Sequence, residues 1–129
     1  MNSIESNFVP YQIALDMKSI GFDEPCVAIF DRNNELNVDD GFYKQENYHK
    51  DTVLAPLYQQ CFKWFREKYN LLHSITEYNK DGSLIIEITQ NKVEVFRKMT
   101  NFDISEYEQA ELECLKELIM LANEKKIKK

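Results

Sequence analysis

The sequence predicts an α+β domain, with an antiparallel sheet packed against helices in the order α-β-β-α-β-β-β-α. Three observations carry this expectation. Apolar residues recur at helical spacing in separate segments, most regularly from Leu54 to Tyr69. Short runs rich in β-branched residues lie between turn signals. A hydrophobic share of 43%, with 3 Gly and 3 Pro in 129 residues, is enough to bury one core and predicts a single domain spanning 1–129.

The elements follow in order. Pro10 suits a first helical turn, and Ile13, Ala14, Met17 and Ile20 recur before Gly21, a residue fit for the left-handed position that ends a helix. A helix over Pro10 to Ile20 is predicted. Beyond Pro25, Cys26 to Phe30 is an apolar run of strand length. Asp31-Arg32-Asn33-Asn34 supplies turn chemistry, and Leu36 to Val38 is the return strand of a hairpin. From Asp39 to Asp51 the period is lost, predicting an exposed loop.

In the central helix, Leu54 to Tyr69, Leu57, Cys61, Phe62 and Phe65 fall on a broad apolar face, and Pro56 fits the opening turn. Leu72 to Tyr78, Leu84 to Gln90 and Val93 to Met99 then form a three-stranded meander. Its turns are Asn79-Lys80-Asp81-Gly82 and Asn91-Lys92. Leu84, Ile86 and Ile88 alternate with Ile85, Glu87 and Thr89, so one sheet face should meet helices and the other should be partly wet. Ser105 and Glu108 read as a capping box opening a last helix that reaches about Glu124, with Ala110, Cys114, Leu118 and Leu121 in its apolar stripe.

Charge narrows the function classes. The net charge is −6 at pH 7 and the pI is near 5.0, which argues against general binding to nucleic acid or an anionic membrane. Acid concentrates at Asp23 to Asp51, with eight acids against three bases, and at Asp103 to Glu124, with seven against one. The basic tail 125–129 reads as a solvated helix end complementing the macrodipole. There is no apolar run of membrane-spanning length and no basic-then-apolar leader, so a cytoplasmic protein of its host cell is expected. Cys26, Cys61 and Cys114 are odd in number, widely spaced and set in apolar patterns, and they read as reduced core thiols.

Few residues point to chemistry. Asp31, Asp39, Asp40, Glu46 and His49 could place carboxylates and an imidazole around a divalent cation, which makes a metal-dependent hydrolase or nuclease on the Asp39/Asp40 loop the alternative reading. Their spacing matches neither a calcium loop nor a zinc site, and no nucleophile elbow is present, so no catalytic residue, metal ligand or cofactor is expected. Phe42, Tyr43 and Tyr48 lie among charges in the same loop and supply aromatic anchors with a polar rim, the expected partner-binding surface. Trp64, Phe65, Arg66 and Tyr69 could form a second aromatic patch, or could be core.

Two resemblances complete the reading. The helix-strand-strand-strand-helix order from Leu54 to Glu124 resembles the double-stranded-RNA-binding domain, which would imply an RNA-binding module. That family opens its closing helix with a phosphate-gripping lysine cluster, where this chain has Glu106, Glu108, Glu111 and Glu113, so nucleic acid ranks third. Ala55 to Tyr69, Tyr107 to Ile119, and Phe8-Val9-Pro10-Tyr11 through Cys26 are similar to blocks of a family of small uncharacterised proteins encoded by tailed phages and prophages of Bacteroidetes. That similarity implies a viral accessory protein without catalytic residues to carry over. The leading expectation is a non-enzymatic protein that acts by binding a host or phage protein.

Overall fold

The computed structural model describes residues 4–43, 52–78 and 82–127. Over the described residues the architecture is α+β, with two antiparallel three-stranded sheets and three α-helices. The chain divides into two compact units, Met1–Gln60 and Cys61–Lys129.

In the first unit, helix α1 spans Tyr11–Ser19, with Pro10 in extended conformation as its N-cap. Pro10 therefore stands just outside the first turn it was expected to enter, and its carbonyl accepts the amide of Ala14 at 3.0 Å. The other end is a Schellman motif. Phe22 N–H donates to the Met17 carbonyl at 3.0 Å and Gly21 N–H to that of Lys18 at 3.1 Å, which requires the positive φ of +101° at Gly21. A Cβ at Gly21 would meet nothing within 4 Å, so Gly21→Ala should cost only the backbone strain, ~1 to 2 kcal/mol, measurable as a lower urea midpoint.

Strand β1 (Cys26–Phe30) is the centre of the first sheet, flanked by β2 (Leu36–Tyr43) and β3 (Val53–Leu54). Two expectations are corrected here. The return strand does not stop at Val38 but continues through Asp39, Asp40 and Gly41 to Tyr43, so the predicted exposed loop begins later. Ala28 pairs with Val38 and Cys26 with Tyr43, so two steps on β1 face five on β2. The surplus residues bulge over Asp-Asp-Gly, which erases the period-2 signal while pairing resumes at the strand-favouring Tyr43.

The second correction concerns Leu54 to Leu57, which are not helical. Val53 and Leu54 pair with Phe30 and Ile29, Ala55 N–H donates to the Ala28 carbonyl, and Val9 N–H donates to that of Pro56, both at 3.0 Å. Proline disfavours helical geometry in the residue before it, and β1 offers an open ladder at that point. Helix α2 accordingly runs Tyr58–Tyr69. Phe8, Val9, Met17, Ala28 and Leu54 are among the buried side chains of this unit.

In the second unit, β4 (Leu71–Tyr78), β5 (Ser83–Gln90) and β6 (Val93–Met99) form the expected meander. Asn91 and Lys92 both have positive φ, 53° and 71°, the geometry of a two-residue hairpin turn. Asn70, at φ 58°, ends α2; its side chain donates to Asn91 Oδ1, and Gln90 Nε2 donates to the Tyr69 carbonyl at 2.8 Å. The last helix, α3 (Tyr107–Ile127), follows a 3₁₀ turn over Ile104–Glu106.

Its capping box lies two residues upstream of the expected Ser105/Glu108 pair. Asp103 accepts from the Ser105 amide and hydroxyl, while Glu106 reaches back to the Asp103 amide at 3.3 Å. A carboxylate that accepts two Ser105 donors competes better for the cap than the Ser105 hydroxyl alone, which is itself one of those donors. Leu84, Ile86 and Ile88 are buried on the helix side of β5, as are Leu115 and Leu118 on α3. Thr100 is the buried polar residue among them, and its hydroxyl donates to the Leu84 carbonyl at 2.8 Å and accepts from Phe102 N–H.

Candidate functional site

The residues expected to gather around a cation do not form a described cluster. Asp31 is committed to the hairpin turn: Oδ1 accepts the amides of Asn33 (2.8 Å) and Glu35 (3.1 Å), and Oδ2 accepts Asn37 Nδ2 (2.8 Å). Those hydrogen bonds, the Glu35 amide first, hold its carboxyl below the usual carboxylate range. Asp39 and Asp40 lie along the bulged part of β2. Glu46 and His49 lie outside the described residues, as does Tyr48. Phe42 and Tyr43 lie on β2, with Tyr43 paired to Cys26. Among the described residues no group of three or more His, Cys, Asp or Glu is placed to hold a metal ion.

The cysteines are buried and unpaired by disulfide. Burial, reinforced by Glu24 for Cys26 and by Glu111 for Cys114, pushes both thiols up to about 12. Thiolate is the reactive form, so native-state alkylation of Cys26 and Cys114 should be slower than in denaturant by orders of magnitude. Fast native labelling of either would contradict their burial.

The aromatic stripe of α2 is core. Trp64 is 6% exposed and Phe65 0%, and Trp64 meets Phe65 and Tyr69 edge-on at 5.2 and 5.6 Å between ring centroids. Opposite them in the same unit, Phe62 stacks on His73 of β4 at 3.8 Å with 17° between planes. Burial, with Arg66 nearby, lowers the His73 pKa to about 4, so the ring is neutral at pH 7.

The acidic face of α3 is crowded rather than solvated throughout. Glu113 is held below the carboxylate range chiefly by the hydrogen bond from Lys98 Nζ at 2.8 Å. Partial burial, and then like charge, raises Glu111 and Glu117.

The surface that sequence reasoning missed is the face of the meander opposite α2 and α3. His73 and Lys98 mark the helix side through Phe62 and Glu113, so strand alternation places three cross-strand rows on the other. These are Leu72-Thr89-Glu94, Ser74-Glu87-Arg97 and Thr76-Ile85-Met99. Leu72 is 51% exposed and Met99 55%, while Ile85 between Thr76 and Met99 is buried. Arg97 bridges Glu87 and Glu94, each at 3.9 Å, in the centre. Large apolar side chains at two corners of a face centred on an Arg is a composition suited to a protein interface. The sequence signal was present in the adjacent pair Leu71-Leu72: only one of two neighbouring strand residues can face the helices, and Leu71 is the one buried.

No protein-family model, curated protein or solved structure is found to match the chain. Among the described residues no helix is long and apolar enough to cross a membrane.

Proposed function

We propose that this is a non-enzymatic protein-binding module, an accessory protein of a tailed phage that engages a host or phage protein. The observation that carries the binding role is the face of the meander opposite α2 and α3, where Leu72 and Met99 expose half or more of their area around Arg97. The phage setting rests on the resemblance read from the sequence runs Ala55 to Tyr69 and Tyr107 to Ile119 alone. An acidic opening to α3, from Glu106 to Glu113, opposes phosphate contact and favours a protein partner over RNA.

The test is capture of a partner from host lysate by immobilised wild type and by two variants, Met99→Glu and Arg97→Glu. Each should reduce recovery of the same partner about tenfold or more, equivalent to ~1.4 kcal/mol, without lowering the melting temperature. Equal recovery by all three proteins would remove this face from the binding role, and tight, salt-sensitive retention of duplex RNA would replace the reading.

A further inference from the structure

The three-stranded meander has two outer strands, and they differ in how they treat an approaching chain. Strand β6 is interrupted: Ile88 pairs with Phe96 and Thr89 with Glu94, leaving Val95 as an extra residue, and Glu94, Arg97 and Lys98 line it with charge. A bulge and charges are features that discourage edge pairing. Strand β4 has neither protection. It pairs residue for residue with β5 from Leu71 to Tyr78, contains no Pro or Lys, and carries Glu77 as its only acid. No described strand pairs on its outer edge.

Which backbone groups that edge presents follows from β5. Leu84 directs both its N–H and its carbonyl away from β4, bonding to Phe102 and Thr100. Successive residues alternate direction, so Ser83, Ile85, Glu87 and Thr89 bond toward β4 and engage Tyr78, Thr76, Ser74 and Leu72. The N–H and carbonyl groups of His73, Ile75 and Glu77 therefore point outward, without a strand partner.

From this geometry we infer that β4 pairs antiparallel with β4 of a second copy of this chain, about a two-fold axis at Ile75, joining two three-stranded sheets into one six-stranded sheet. The register is selected by the residues themselves. Outward groups must face outward groups, which puts the axis on a residue and not between two, and Ser74 and Ile75 are the centres that keep the greatest length of β4 paired. Centring on Ile75 sets His73 opposite Glu77 at both ends, a ring N–H against a carboxylate, with Ser74 opposite Thr76 and the exposed Leu72 opposite Tyr78. Centring on Ser74 would set buried, apolar Leu71 against the Glu77 carboxylate and leave Leu72 facing Thr76. Side chains from the same sheet face meet in every pair of the Ile75 register, so the two copies continue one another's faces. This inference does not rest on the partner-binding reading, which places its variants on β6.

Sedimentation equilibrium of the purified chain should give twice the 15.3 kDa chain mass at high concentration. Glu77→Pro removes an outward N–H without touching the β4–β5 ladder, and Thr76 before it is already in the extended conformation proline requires. It should raise the dimer dissociation constant at least tenfold. Hydrogen exchange on the wild type gives a reading that does not depend on that variant folding: the amides of His73, Ile75 and Glu77 should become slower as concentration rises, while the outward amides of Arg97 and Met99 on β6 stay fast. A chain that remains monomeric at the highest attainable concentration overturns the inference. So does a dimer in which the three β4 amides exchange as fast as those of β6.

Discussion

Phe62→Ala is expected to lower the unfolding free energy by ~3 to 5 kcal/mol. Phe62 is fully buried, and its ring lies flat on His73 at 3.8 Å. Truncation loses the transfer free energy of the ring and leaves a cavity beneath β4, and it strips one face of an imidazole whose surroundings were shaped for a neutral, stacked ring. The loss should appear as a shifted midpoint in urea with an unchanged slope. Met120→Ala supplies the control: Met120 is apolar and 55% exposed, and its loss should stay within ~0.5 kcal/mol. Similar effects at the two positions would show that the apolar face of α2 does not form the core described.

The second large effect is a loss of stability in mild acid through His73. Its folded pKa is lowered from 6.5 to about 4, so below pH 6.5 the unfolded chain binds a proton that the folded chain refuses. The stabilisation from His73 is thus complete above pH 6.5 and is lost progressively as pH falls toward 4. A shift of this size corresponds to about 3 kcal/mol, and solvent screening of a partly exposed ring brings the expected loss to on the order of 2 kcal/mol. Glu111 and Glu117 act in the opposite direction. Their folded pKa values are raised, so protonation on acidification favours the folded state. The informative quantity is therefore the difference between wild type and His73→Leu: urea midpoints at pH 7 and pH 5 should diverge, with the wild type losing the more. Parallel loss in the two proteins would mean that His73 titrates normally and is not held neutral against Phe62.

The Phe62 and His73 predictions could not have been drawn from the chain alone. Phe62 belonged to an apolar stripe, but His73 read as one polar residue in an alternating strand, and nothing in its neighbours signalled that an aromatic ring from a preceding helix would cover it. The aromatic residues Trp64 and Phe65 were similarly open to two readings, core or patch. Their burial depends on what surrounds the helix, and helical periodicity records only which residues share a face. The expected site at Phe42, Tyr43 and Tyr48 rested on a composition change after Val38. In the structure that change marks a bulge in a continuing strand, because extra residues can be absorbed between paired positions without ending the ladder.

What the sequence by itself determined is whatever short-range chemistry decides. Strand β1 at Cys26–Phe30 and strand β6 at Val93–Met99 have the predicted bounds, Gly21 takes the left-handed position that ends α1, and Asn91-Lys92 makes a two-residue turn. In each case, neighbouring residues contain the whole physical reason. What only the tertiary structure decided is where distant chain competes with local preference. Leu54 left the helical pattern to pair, with Val53, against β1, and Asp103 displaced Ser105 as the cap by accepting its donors. Leu71 was buried and Leu72 exposed, although the two residues are chemically identical. A strand has two faces, and α2 and α3 pack on the face of Leu71, so the exposure of Leu72 and Met99 is set by packing and not by composition.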